Sequence, residues 1–187
     1  MFTRTMEYLR DHGVFLQKIG EMETRCPACG SRGLVIEDYL YDMPGVGRVI
    51  LSTGKCRFCG YRYTDVRVAE AKEPRRIIYR VEGLEDLNAL VIRASTATIR
   101  IPEIGAEMKP GPAAQGFITT IEGVLHMFRD VLEFLCRDRK DRVCAEKLEW
   151  LNRAIDGKEE FTLIIEDPDG VSVIKGKSKE PVIELLR

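Results

Sequence analysis

The sequence contains no long hydrophobic run. No apolar stretch in its 187 residues approaches the ~20 residues that a membrane-spanning helix needs. The N-terminal residues, as far as Cys26, mix charged with apolar side chains and include no segment like the apolar centre of a signal peptide. We therefore expect a soluble, intracellular protein of the cytoplasm that does not act at a membrane.

The chain also lacks an excess of charge of either sign. Its 29 basic and 30 acidic residues leave a net charge of -1. Such a balance provides no overall field that would attract nucleic acid or an anionic membrane surface. The hydrophobic share of 44% is large enough for a folded core. The length suits one domain, or one domain carrying a small satellite.

Residues typical of active sites are scarce. There are two histidines, His12 and His126, and neither has a nucleophile or a metal partner near it in the sequence. The sequence contains no serine–histidine–aspartate order, phosphate-binding loop or Gly-x-Gly-x-x-Gly pattern. A metal-binding cupin enzyme would need clustered histidines and acids. We therefore expect a binding protein and not an enzyme.

Cysteine is the residue type whose spacing is informative. Four of the six cysteines form two Cys-x-x-Cys pairs, Cys26 with Cys29 and Cys56 with Cys59, and each pair is followed by glycine. Two such turns place four thiolates around one tetrahedral ion, and glycine lets the chain turn back beneath the sulfurs. The pattern predicts one structural Zn²⁺. A mononuclear iron site, two disulfides or a redox pair are the alternatives.

The two remaining cysteines, Cys136 and Cys144, stand on either side of a polar stretch that is suited to a turn. Across such a turn they are close enough in sequence to form a disulfide. Free buried thiols are the other interpretation, and the sequence alone leaves both open.

The coarse pattern divides the chain into three parts. Residues 1–24 form an N-terminal extension to which the sequence assigns no structure, because two glycines interrupt any helix. Residues 25–70 contain the cysteines and short strands, which indicates a zinc ribbon. Residues 71–187 are rich in strand-like segments. The predicted fold class is therefore mainly β with a helical hairpin, an α+β arrangement.

The helical hairpin is predicted at about residues 119–157. Thr119 and Glu122 have the spacing of a capping box, in which a hydroxyl and a carboxylate each accept from a free backbone N–H. Apolar residues then recur at helical spacing through Leu135, and Gly157 is placed to end the second helix. Residues 161–174 then predict a β-hairpin around Asp167-Pro-Asp-Gly170; a cation site at that turn is the less favoured alternative.

Several motifs occur in one order along residues 26 to about 175, and together they resemble the ZPR-type zinc-finger domain family. They are Cys26-Pro-Ala-Cys29-Gly30, Cys56-Arg-Phe-Cys59-Gly60-Tyr61-Arg62, Asp86-Leu87, Ser95-Thr96-Ala97, Ile101-Pro102-Glu103, Gly116-Phe-Ile-Thr119-Thr120-Ile-Glu122-Gly123, and Asp167-Pro168-Asp169-Gly170 with Ser172.

The resemblance implies a zinc ribbon followed by a double-stranded β-helix, or jelly-roll-like, domain. It also implies binding to the translation elongation factor GTPase of the one-alpha type, which carries aminoacyl-tRNA, and assistance with folding or assembly of that GTPase. Eukaryotic members carry two such modules, and this chain resembles the single-module archaeal form. The residues it suggests for partner contact are Thr119, Thr120, Glu122, Gly123, Arg57, Tyr61 and Arg62.

A zinc ribbon that binds nucleic acid is the alternative function. Residues 25–67 hold seven basic and four acidic side chains, and the aromatic residues Phe58, Tyr61 and Tyr63 are candidates for stacking on bases. Aromatic residues in so small a unit more often cover its core, and the basic surface suits an acidic protein partner equally well.

Overall fold

Four consecutive strands form the N-terminal sheet. The computed structural model describes residues 16–43, 47–69, 73–111, 114–137 and 142–186. The strands are β1 (Leu16–Arg25), β2 (Arg32–Met43), β3 (Gly47–Cys56) and β4 (Arg62–Val68), and each pairs antiparallel with the next. Residues 16–24, to which the sequence assigned no structure, therefore form most of β1. We call this four-stranded unit the ribbon.

The rest of the described chain forms two further sheets together with the helices. One has five strands in the order β12-β5-β10-β7-β8, and the other has three in the order β11-β6-β9. The five-stranded sheet consists of β5 (Arg75–Val81), β7 (Thr98–Ile101), β8 (Ala106–Met108), β10 (Phe161–Asp167) and β12 (Val182–Leu185). The three-stranded sheet consists of β6 (Leu90–Arg93), β9 (Phe117–Thr120) and β11 (Val173–Lys175). This mainly β arrangement agrees with the predicted jelly-roll-like class.

Alternating burial shows which face of the five-stranded sheet meets the core. In β10, Phe161, Leu163 and Ile165 are buried, and they lie directly opposite residues of β5 that are also buried. Apolar side chains at every second position are what a sheet with one covered face requires. Residues of the three-stranded sheet and the helices complete this core: Val91, Ile174, Ile121, Val124, Leu125, Phe128, Leu151 and Ala154.

The helices are α1 (Leu84–Leu87), α2 (Ile121–Cys136) and α3 (Arg142–Ile155), with a 3₁₀ turn at Pro102–Ile104. α2 and α3 pack together, as the predicted helical hairpin requires. The chain leaves α3 at Gly157, whose φ of 71° is a left-handed conformation that glycine adopts readily. Leu135, predicted on the buried face of α2, is exposed, because the hairpin extends beyond the core after Leu132.

Two local predictions are wrong. The helix cap is Thr120, whose hydroxyl accepts from the backbone N–H of Gly123, so Thr119 belongs to β9 and Glu122 is not the cap partner. The predicted β-hairpin of residues 161–174 does not form either. β10 pairs with β5 and β7, whereas β11 pairs with β6, so the turn between them crosses from one sheet to the other.

Within the described residues, none of the helices has both the length and the apolar character needed to cross a membrane.

Candidate metal centre

The four paired cysteines converge at one end of the ribbon. Cys26 follows β1 and Cys56 ends β3, while Cys29 and Cys59 lie in the turns that lead into β2 and β4. Their sulfur atoms all lie within 4.8 Å of one another. The Sγ atoms are 3.6 Å apart between Cys26 and Cys59 and 3.8 Å apart between Cys29 and Cys56. A tetrahedral Zn²⁺ with Zn–S bonds of ~2.3 Å has its sulfurs about 3.8 Å apart, so the donor set fits zinc.

The two cysteine turns have the same backbone hydrogen bonds. The N–H of Cys26 donates to Ser31 O at 2.9 Å, and the N–H of Cys56 donates to Tyr61 O at 2.8 Å. Gly30 and Gly60 follow the second cysteine of each pair and have φ angles of 71° and 74°. A left-handed residue here reverses the chain below the sulfurs, which is why the sequence places glycine at both positions.

The ligand set has a buried side and an exposed side. Cys26 and Cys56 are buried against Leu34, with the partly buried Tyr61 and Tyr63 beside them. Cys29 and Cys59 are exposed to solvent. The metal would therefore join the small apolar core of the ribbon to its surface.

Backbone N–H groups near the sulfurs change their acidity. The N–H of Ser31 lowers the pKa of Cys29 to about 6, with a further contribution from the neighbouring Cys59. The N–H of Tyr61 favours the thiolate of Cys59. Desolvation and the other three sulfurs outweigh it and raise the pKa of Cys59 to about 12. Donation from Cys59 N and Phe58 N lowers the pKa of Cys56. Such donors stabilise thiolate charge, as metal ligation requires.

A loop of the β-rich part holds the ribbon in place. The side chain of Gln115 donates to the hydroxyl of Tyr61 at 3.1 Å and accepts from the N–H of Thr64 at 3.3 Å. The next residue, Gly116, donates its N–H to the Asp65 carboxylate at 2.8 Å. These three bonds all end on the second cysteine turn or on β4, so they fix the metal-binding end relative to the jelly roll.

Apolar contact reinforces this junction. Val49 and Val66 of the ribbon form one buried cluster with Ile92 of β6, and partly buried side chains surround it: Leu51, Leu90 and Val173. Sequence reasoning missed the junction. Its one readable signal was Gly116, which stood in a motif without an assigned role.

The residues suggested for partner contact fall on two separate elements. Arg57, in the second cysteine turn, and Arg62, which follows it, are exposed. Tyr61 is partly buried against the ribbon core and accepts a hydrogen bond from Gln115. Thr119, Thr120, Glu122 and Gly123 lie at the junction of β9 with α2, where Thr120 caps the helix and Glu122 faces solvent.

The aromatic side chains of the ribbon differ in their exposure to solvent. Tyr61 and Tyr63 cover the ribbon core, which leaves Phe58 as the exposed ring, with 70% of its surface accessible. Phe58 lies over Gly33, where any side chain would collide with the ring.

The aspartate turn after β10 serves the fold. Asp167 is fully buried, and its two carboxylate oxygens accept from the backbone N–H groups of Asp169 and Ser172. Gly170 has a φ of 64° and donates its N–H to Asp167 O at 3.3 Å. These contacts account for the motif as a turn, without a cation.

The remaining candidate residues lie elsewhere. Cys136 and Cys144 form a disulfide that joins the end of α2 to the start of α3, with their Cα atoms 5.9 Å apart. His126 is partly exposed, with its Nε2 atom 3.9 Å from the Glu122 carboxylate. His12 lies outside the described residues.

Comparison with known proteins agrees with this architecture. Residues 85–184 match the model of the ZPR1 jelly-roll domain. An uncharacterised ZPR1-like protein of Methanocaldococcus jannaschii is 42% identical over 163 residues, which cover 84% of this chain and 82% of that protein. A ZPR1-like protein of Pyrococcus horikoshii is 38% identical over 174 residues, which cover 87% of this chain and 78% of that protein.

Eukaryotic relatives are longer. The zinc finger chaperone zpr1 of Schizosaccharomyces pombe is 32% identical over 153 residues, which cover 76% of this chain but only 33% of that protein. The matched region is thus about one third of the eukaryotic protein, whereas it makes up most of each archaeal relative.

Proposed function

Because this chain belongs to the ZPR1 zinc-finger family, we propose that it is a zinc-dependent module that binds the one-alpha-type translation elongation factor. In this proposal it assists the folding or assembly of that GTPase and catalyses no reaction itself. The observation that carries the proposal is the ribbon, whose four converging sulfurs are fixed by Gln115 and Gly116 to a jelly roll of the family type.

We propose one structural zinc ion per chain. Four protein ligands fill a tetrahedral site and leave no position for a water molecule. Zinc-finger peptides gain roughly 10–16 kcal/mol of apparent free energy from the metal. The buried apolar cluster around the site consists of Cys26, Leu34 and Cys56, so the metal would supply most of what folds this end of the ribbon.

The rigid junction supports a role in holding a partner. A surface whose side chains are already fixed loses less conformational entropy when it binds. Tyr61 is held by Gln115, and the exposed Arg57 and Arg62 flank it in sequence. We propose that these arginines meet an acidic area of an incompletely folded GTPase. Release would follow when nucleotide-driven folding alters that area.

Titration with the elongation factor of the same organism tests this function. Zinc-loaded protein is titrated with the factor in its nucleotide-free and GTP-loaded forms, and we expect tighter binding to the nucleotide-free form. Binding to neither form would refute the proposal. The double variant Arg57→Glu, Arg62→Glu should weaken binding by about tenfold or more, as loss of charge complementarity predicts. Arg67→Glu, an exposed position of β4, is the matched control.

The exposed Phe58 ring is the one observation that favours the alternative, a nucleic-acid-binding ribbon. Stacking of a base on such a ring contributes roughly 1–3 kcal/mol. In that case the protein should be retained on single-stranded RNA, and affinity should fall steeply with salt. Phe58→Ala would abolish this retention. If Phe58→Ala instead leaves binding to the elongation factor unchanged, the first function is favoured.

A further inference from the structure

The strand β12 forms one edge of the five-stranded sheet. It pairs antiparallel with β5, from Val182 opposite Ile78 to Leu185 opposite Arg75. Within the described residues it has no hydrogen-bonded strand on its other side. All of its four residues are exposed. In that part of the chain, the outer side of β12 is an unpaired strand edge of the kind that can accept another strand.

The apolar side chains of β12 extend past the core. Ile183 and Leu185 lie opposite Ile77 and Arg75, both of which are buried. Residues directly opposite each other in a sheet share a face, so Ile183 and Leu185 point to the core side. They are nevertheless 55% and 64% exposed, which means that the layer covering β5 ends before it reaches β12.

β12 is held in place at both of its ends. Before it, the Lys179 ammonium donates to the carboxylates of Glu82 at 2.7 Å and Asp86 at 2.9 Å. After it, the backbone N–H of Leu186 donates to Pro74 O at 2.9 Å. β12 is thus a fixed template and not a frayed end.

The edge strand β1 is protected against pairing by charged side chains, and β12 is not. In the ribbon, edge strand β1 carries Lys18, Glu21 and Glu23, and inserted charges are a common device against edge-to-edge association. The one charged residue of β12 is Glu184, whose carboxylate faces Arg76 of its own sheet at 3.4 Å. Exposed apolar residues therefore dominate the free edge.

A second copy of the chain is a poor occupant. In a continuous antiparallel sheet made by a two-fold axis, residues of one face pair only with residues of that face. A pairing centred on Glu184 sets two carboxylates opposite each other, which is destabilising. A pairing centred on Ile183 sets each Glu184 opposite Val182, which places a charge against an apolar side chain. A four-residue edge also buries far less than the ~1,200 Å² of a stable interface.

We propose that the free edge of β12 accepts an extended segment of another polypeptide by strand addition. The segment has apolar residues at alternate positions, on the side of Ile183 and Leu185, and a basic residue opposite Glu184. Backbone hydrogen bonds supply affinity, and the alternating side chains supply selectivity. This site goes beyond the proposed function, because it lies on a sheet without cysteines and requires neither zinc nor the GTPase.

Fluorescence polarisation with a blocked peptide of alternating valine and lysine tests the site. The peptide should bind the zinc-loaded protein, and N-methylation of the amides along one side should weaken binding about tenfold by removing two or more hydrogen bonds. A valine–glutamate peptide should also bind more weakly. No binding of the first peptide, or equal binding of its N-methylated form, would overturn the proposal without any variant of the protein.

A pair of variants locates the site. Ile183→Lys should weaken peptide binding about tenfold, because a charge then interrupts the apolar edge. Met22→Lys changes a residue of β1 with a similar exposure of 57% and should leave binding unchanged. Equal loss in both variants would refute the location. Sedimentation of the wild-type protein covers the other occupant: a dimer that Ile183→Lys converts to monomer would assign the edge to self-association.

Discussion

The backbone N–H of Gly116 donates to the carboxylate of Asp65 at 2.8 Å, and this contact leaves no room for a side chain on residue 116. A Cβ at that position would lie 2.5 Å from the same carboxylate oxygen and 2.7 Å from Val66 O. Two distant parts of the chain, the loop before β9 and the ribbon strand β4, therefore meet through a residue without a side chain.

Gly116→Ala should destabilise the protein by about 1–3 kcal/mol, since overpacking a tight contact forces the backbone to move. Urea denaturation of the zinc-loaded protein measures the change. Gly111→Ala is the matched control, because a Cβ there meets nothing within 4 Å. If the two variants lose equal stability, the ribbon junction is not the source of the effect.

Zinc uptake by the metal-free protein at pH 7 should release at least one proton per ion. The pKa of Cys59, raised to about 12 by desolvation and the adjacent sulfurs against the N–H of Tyr61, keeps that thiol protonated until the metal displaces its proton. A weakly buffered titration with a pH indicator measures the release.

The pKa of Cys29 sets the direction in which zinc affinity changes with pH. The N–H of Ser31 lowers the pKa of Cys29 to about 6, so Cys29 gains a proton only when the pH falls through that value. Zinc affinity should therefore rise with pH and fall most steeply below about 6. A variant with both Cys136→Ser and Cys144→Ser is the control and should behave like the wild type. Affinity that increases on acidification would contradict the assignment of these ligands.

Thr120→Val should cost about 1 kcal/mol of unfolding free energy, because the substitution removes the hydroxyl that caps α2 at the N–H of Gly123. Thr119→Val is the same chemical change one residue earlier, at a position in β9, where a β-branched apolar residue is well tolerated. Thermal unfolding of the two variants compares them directly. A larger loss of stability in Thr119→Val would show that Thr119, and not Thr120, caps α2.

Reduction of the bond between Cys136 and Cys144 should lower stability by about 2–3 kcal/mol, as loop-closure entropy predicts for a sequence separation of 8. Urea denaturation with and without a phosphine reductant measures this, and the double serine variant should match the reduced protein. Peptide mapping after alkylation without reductant checks the bond itself. Labelling of both thiols under those conditions would show that the bond is absent.

The convergence of the four zinc-site sulfurs was predictable because it depends mainly on short sequence motifs. Each Cys-x-x-Cys-Gly turn brings its own two sulfurs together, so only the meeting of the two turns had to be inferred. The helical hairpin was predictable for a similar reason, since one apolar face recurs at helical spacing from Ile121 to Phe128. These signals need no knowledge of distant neighbours.

Other features depend on tertiary context that no local pattern carries. β1 is largely exposed, so it lacks the alternation that identifies a strand, and only its pairing with β2 defines it. The turn after Asp167 favoured a hairpin, but burial of alternate residues shows the face of a strand and not its neighbours. Two adjacent threonines allowed the cap of α2 to be placed one residue early.

The position of β10 determines the order in which parts of the fold can form during synthesis. β10 lies between β5 and β7, yet it is made long after both, so neither has its central partner until residue 167 has left the ribosome. The ribbon strands are consecutive and can close first around their metal. We therefore expect the ribbon to fold around its metal first during translation. The strands of the five-stranded sheet made before β10 then keep their core-facing apolar residues exposed to water until the last strands emerge.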